Sequence, residues 1–91
     1  MILANSNNKM VVELMTTSGC HLCDEACQMI YYLINHKSSF ANKFELKLVE
    51  IANDDKLIEN YGIRIPVLKS NESELGWIFT IDELNLWLES I

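Results

Sequence analysis

Met15-Thr16-Thr17-Ser18-Gly19-Cys20-His21-Leu22-Cys23-Asp24-Glu25-Ala26 is the stretch on which the fold turns, because two hydrophobic periods meet inside it. Upstream, Met10-Val11-Val12-Glu13-Leu14-Met15 is almost continuously apolar, with Glu13 the exception. That pattern predicts a central strand covered on both faces. Downstream, Leu22, Ala26, Met29, Ile30 and Leu33 recur at steps of three and four, the spacing of a helix with one buried stripe. The helix is expected to end near His36-Lys37, side chains that suit a helix C-terminus. Cys20-His21-Leu22-Cys23 therefore falls at the junction of strand and helix. Unpaired N–H groups and the positive dipole end gather there and favour an anion. Such a setting lowers a thiol pKa from about 8.5 into a range of roughly 3.5–7.5. Cys20 is read as the nucleophile, and Cys23, nearly one turn on, as the thiol that resolves a mixed disulfide formed at Cys20.

The same four residues also form half of many zinc sites, and a zinc site usually shows a second pair. Here the remaining thiol is Cys27 and the imidazoles are His21 and His36, so a ligand set would come from one helix and its tip, a poor tetrahedron. The redox dithiol is the better reading, and neither a metal ligand nor a small-molecule cofactor is written into the chain. His21, as an imidazolium, would stabilise the Cys20 thiolate and make the pair more oxidising. Asp24 and Glu25 act the other way, although acids in a first helical turn have a sufficient structural reason. Cys27, one turn beyond Cys23, reads as a small buried apolar side chain. Its alternative, a reserve partner for Cys23, suffers from the poor disulfide geometry of cysteines four apart in a helix.

Further along, Phe44, Leu46 and Leu48 alternate with Glu45 and Lys47, which predicts an edge strand with one wet face; the pattern loosens at Val49-Glu50-Ile51. Asn53 is expected to cap a short helix carrying Leu57, Ile58 and Tyr61, which Gly62 stops. Pro66-Val67-Leu68-Lys69 and Glu74-Leu75-Gly76-Trp77-Ile78 flank Ser70-Asn71-Glu72-Ser73, predicting an antiparallel hairpin with a connection of four or five residues. Thr80-Ile81-Asp82-Glu83 is a capping box, opening a helix expected to bury Ile81, Leu84, Trp87, Leu88 and Ile91. Of Tyr31 and Tyr32, one ring should face the sheet and the other water. Trp77 and Trp87 read as core or core-edge residues, with Trp77 also a candidate lining for a groove beside the cysteines. The order is β-α-β-α-β-β-α, an α/β fold with a four-stranded mixed sheet and helices on both faces.

At 91 residues the chain has room for one domain, assigned to 10–91, with the Asn-rich residues 1–9 as a frayed tail. A net charge of −6 repels phosphate backbones and anionic lipid headgroups, which argues against nucleic acid and membrane partners. No apolar run approaches the roughly 20 residues of a membrane-spanning helix. Met1-Ile2-Leu3 gives way at once to polar residues, so the expected compartment is the cytoplasm, where an odd cysteine count fits reactive thiols better than structural disulfides.

The element order, the C-x-x-C at the first strand–helix junction and Ile65-Pro66-Val67 before the third strand resemble the thioredoxin superfamily. More narrowly, the quoted stretch is similar to short glutaredoxin-like proteins in which C-H-L-C is followed by acidic residues. The resemblance covers about residues 9–91. It implies a thioredoxin-like fold with strands ordered second, first, third, fourth, and a cis Pro66 facing the cysteine pair. It also implies Ile65 N–H and C=O groups free to pair with an extended substrate, so that Thr17, Ile65, Pro66 and Trp77 surround a disulfide of a protein or a small thiol. The chain departs from the glutathione-binding pattern. It has Thr16-Thr17-Ser18-Gly19 without a basic residue, Arg64-Ile65-Pro66 in place of Thr-Val-Pro, and a single Gly76 followed by Trp77. Only Arg64 and Lys69 offer nearby positive charge, so glutathione matches poorly as partner, and a thioredoxin-type reductase or a protein partner could supply electrons. Two other classes stay open: an iron–sulfur or metal carrier with Cys20 as ligand at a subunit interface, and a binding module without catalysis.

Overall fold

In the computed structural model, which describes residues 9–91, the apolar run forms strand β1 (Met10–Thr16). It lies inside the sheet, parallel to β2 (Phe44–Glu50) on one side and antiparallel to β3 (Val67–Ser70) on the other. β4 (Ser73–Gly76) pairs with β3, giving the order β2-β1-β3-β4. Leu14 stands opposite Leu48 and Leu68, and Met15 opposite Val49 and Val67. Because side chains alternate along a strand, Val12 and Leu14 face one way and Met15 the other. The expected tail, apart from the exposed Lys9, lies outside the described residues.

Helices α1 (His21–His36) and α3 (Ile81–Ser90) cover the Leu14 face. α1 contributes Cys23, Ala26, Ile30 and Leu33 to burial, close to the predicted stripe. Leu22 is exposed, however, and so are both Tyr31 and Tyr32, at 45% and 57%. At 100° per residue they follow Ile30 away from the sheet, and Tyr32 stacks on His36 instead. The capping box of α3 is present in both directions, Glu83 N–H to Thr80 Oγ1 at 3.1 Å and Thr80 N–H to Glu83 Oε1 at 2.8 Å. Leu84, Trp87 and Leu88 are buried, but Ile81 is exposed and Ile91 only half-buried. Ile81 is the first helical residue and precedes the turn that meets the sheet. Lys37 fastens the two helices, its Nζ donating to Asn85 Oδ1 and Glu89 Oε2.

Helix α2 (Asp55–Tyr61) covers the Met15 face with Tyr61 and Leu57, packed with Ile51, Val67 and Ile65. Its cap is Asp54, not Asn53. The Asp54 N–H bonds to the Ile51 carbonyl, and Asp54 Oδ1 accepts from Lys56 and Leu57 N–H at 2.9 and 3.1 Å. Ile58, expected to be buried, is 42% exposed. Gly62 is the C-cap of the helix, and a side chain there has no room: an added Cβ would lie 2.5 Å from the Ile58 carbonyl oxygen.

The hairpin is tighter than predicted. Ser70 pairs directly with Ser73, leaving Asn71 and Glu72 as a two-residue loop, with Asn71 at φ 56, a conformation asparagine tolerates. Trp77 and Ile78 lie beyond β4. No described helix is long and apolar enough to cross a membrane.

Candidate functional site

The loop from β1 to α1 is a turn over 17–20, closed by the Cys20 N–H on the Thr17 carbonyl at 3.3 Å. Gly19 sits at φ 82, where a type II turn requires a residue free of Cβ strain. The turn delivers Cys20 to the N-cap of α1, where its Sγ accepts the Cys23 N–H at 3.1 Å. Cys20 and Cys23 are joined as a disulfide with Cα atoms 5.2 Å apart. Cys20 is half-buried and Cys23 is sealed at 1% exposure, so an incoming sulfur can reach only the first. His21 and Asp24 are exposed on the first turn. Cys27 is a free thiol, half-buried against the larger core, and burial followed by the Asp24 charge pushes its pKa up. It stays protonated where a low-pKa thiol would not.

The Ile65–Pro66 bond is cis. Pro66 lies one residue past the Met15–Val67 pair, at the end of the sheet from which the cysteine loop leaves. Its carbonyl accepts the Trp77 N–H at 3.1 Å, which brings Trp77 to the same end. The indole packs edge-on against Phe79, its Nε1 enclosed without a hydrogen-bond partner among the described residues. Ile65 corrects an expectation. Its N–H is not free but donates to the Tyr61 carbonyl at 3.0 Å, sharing that acceptor with Arg64 N–H. The last turn of α2 leaves carbonyls without intrahelical donors, and the following backbone satisfies two of them, Ile58 through Gly62 and Tyr61 through Arg64 and Ile65.

Arg64 is also committed. Its guanidinium bonds to Glu74 at 3.2 Å and to the Asn60 carbonyl, and lies 5.1 Å from the Tyr61 ring centroid. Lys69 stands in register between Glu13 and Glu74. Thr17, half-buried, lines one cavity with Glu50, a residue the sequence marked only as the loosening end of a strand. The Thr17 hydroxyl and the Ala52 N–H hold the Glu50 carboxyl below the usual carboxylate range. Among the described residues, no group of three or more His, Cys, Asp or Glu side chains is placed to hold a metal ion.

A four-stranded mixed sheet flanked by three helices, with a C-x-x-C at the first helix and a cis proline before the third strand, defines a thioredoxin-superfamily protein. Within that superfamily, residues 11–89 match the family model of the glutaredoxin-like domain (DUF836), and the chain belongs to that family. The X-ray structure of target protein XcR50 from X. campestris is similar at 30% identity and a TM-score of 0.73, over 88% of this chain and 97% of that one. Protein Ne2328 from Nitrosomonas europaea is similar at 26% identity and a TM-score of 0.69, over 93% and 98%. The germline-specific thioredoxin Deadhead from Drosophila melanogaster shares the fold at 22% identity and a TM-score of 0.51, over 93% and 81%. Comparison with curated proteins returns no match.

Proposed function

We propose that this protein is a dithiol–disulfide oxidoreductase acting on disulfides of proteins or small thiols in cell redox homeostasis. The observation that carries the reading is Cys20 at the α1 N-cap, its sulfur accepting the Cys23 N–H beside a sealed second cysteine. In the reduced protein that N–H and the helix dipole stabilise a Cys20 thiolate. The thiolate attacks one sulfur of the substrate disulfide, forming a mixed disulfide and expelling the other sulfur as a thiolate. Cys23, deprotonated, then attacks Cys20 Sγ, closing the internal disulfide and releasing the second substrate thiol. Two electrons pass from the dithiol to the substrate, and an external thiol reductant reverses both steps to restore the enzyme. Thr17, Pro66, Trp77 and the Ile65 carbonyl border the approach, while His21 and Asp24 bias the thiolate in opposite directions. Glutathione is the less favoured substrate, since the Arg64 guanidinium is engaged by Glu74 and the Asn60 carbonyl instead of being open to a carboxylate.

The test is a redox titration of metal-free protein in dithiol/disulfide buffers, with alkylation and intact-mass counting of thiols. Two thiols should disappear together between about −180 and −270 mV, map to Cys20 and Cys23, and leave Cys27 alkylatable throughout. If no paired step occurs in any buffer, exchange is excluded and a metal-carrying or purely binding role takes its place.

A further inference from the structure

The turn that presents Cys20 closes only one of its N–H groups internally, and its two central residues, Ser18 and Gly19, are both exposed. Glycine in such a turn adds conformational freedom, so the position of the Cys20 sulfur depends on what fastens the loop from outside. Among the described residues, one side chain bonds to the backbone of 17–19: Glu50, whose Oε1 accepts the Ser18 N–H at 3.1 Å. Its Oε2 accepts the Ala52 N–H at 2.9 Å. A single carboxylate thus ties the loop bearing the nucleophile to the loop between β2 and α2.

The sheet puts it there. Glu50 is the last residue of β2 and stands in register with Thr16, and the next rung is the Ile51 N–H on the Thr16 carbonyl at 3.0 Å. Thr16, Thr17, Ser18, Leu48 and Glu50 together line a cavity of about 280 Å³ on this side of the cysteine loop. Among the described residues no hydrogen bond joins Glu50 to either cysteine, so its hold on them passes through the turn.

We propose that Glu50 is a positioning residue for the exchange reaction, holding the turn over 17–20 so that the Cys20 sulfur is aimed along the axis of an incoming disulfide; this rests on the oxidoreductase reading above. Sulfur exchange is an in-line displacement, and a nucleophile held out of line loses rate without losing its charge. The side chain's two oxygens have separate tasks, which makes its substitutions informative. Glu50→Gln keeps an oxygen that can accept the Ser18 N–H and loses the second acceptor. Glu50→Ala loses both.

The experiment measures the reaction of fully reduced protein with dipyridyl disulfide, an uncharged probe, at a pH where the rate has reached its alkaline plateau. There the thiolate is fully formed in every variant, and altered acidity of Cys20 drops out. Amide hydrogen exchange at Ser18 and the thermal midpoint are read on the same samples. Glu50→Ala should lower the plateau rate about five- to tenfold. Its Ser18 amide should also exchange faster, while Glu50→Gln stays within about twofold of wild type on both readouts. The proposal is overturned if Glu50→Ala reacts at the wild-type plateau rate. It is also overturned if Glu50→Gln is as slow as Glu50→Ala while its Ser18 amide stays protected, because the tether would then not be the cause. A wild-type protein without a paired dithiol step would sink the oxidoreductase reading itself. Unprotected Ser18 in wild type would sink only the tether.

Discussion

Serine in place of Cys20 is expected to abolish disulfide exchange, by roughly a thousandfold or more, while leaving the fold intact. The chemical loss is complete because a hydroxyl at neutral pH is neither ionised nor able to take up a disulfide sulfur. The fold survives because Cys20 is a helix N-cap, accepting the Cys23 N–H through its side chain, and serine is a preferred residue at that position. Replacement of Cys23 by alanine should behave differently. Cys20 still attacks, but nothing resolves the product, so a mixed disulfide accumulates and is seen by intact mass. Alanine is chosen because Cys23 is 1% exposed, and a serine hydroxyl there would be buried without a partner. Turnover by Cys20→Ser comparable to wild type would remove Cys20 from the mechanism. Absence of a trapped adduct in Cys23→Ala would remove Cys23.

Leu68→Ala carries the largest expected loss of stability, about 2–5 kcal/mol. Leu68 is fully buried in β3, paired with Leu14 on one side and Leu75 on the other, in the cluster that α1 and α3 close with Ile30, Leu84 and Leu88. Domains of this size hold only about 5–14 kcal/mol, so the variant should lose a large share of its stability and unfold at a much lower urea concentration. Leu86→Ala is the control, since Leu86 is 65% exposed and its unfolding free energy should change by under about 0.5 kcal/mol. A Leu68→Ala midpoint as close to wild type as that of Leu86→Ala would mean that the core is not centred on β3.

The elements with strong local signals were legible in the sequence. The apolar run of β1, the stripe of α1 and the capping box of α3 are short-range patterns, and they placed the cysteine pair at a helix N-terminus. What was missed depends on partners distant in sequence or on local choices between near-equals. Asn53 and Asp54 are both good caps, and the Asp54 N–H on the Ile51 carbonyl decides between them. Ile81 satisfies the apolar period of α3 yet lies too early to meet the sheet. The Ile65 N–H looked available until the end of α2 supplied an acceptor, and no periodicity could show it. Glu50 is invisible for the same reason: its bond to Ser18 spans 32 residues and exists only once β2 lies beside β1.

The two faces of the sheet are unequally built. Among the described residues, twelve buried side chains form the α1/α3 cluster and four form the α2 cluster. The cysteine pair hangs from the first, whereas Ile65 is fastened through the Tyr61 carbonyl to the second. Local opening costs least where fewest apolar contacts are broken, so the molecule has a deep cooperative unit that guards the sulfurs and a shallow one that bears the segment before Pro66. Amides of α2 should exchange with solvent well ahead of those of α1, and equal protection would refute the division. On the oxidoreductase reading, a substrate would meet a nucleophile carried by the deep unit and a pliant flank before Pro66, which can adapt to its partner at one side of the disulfide.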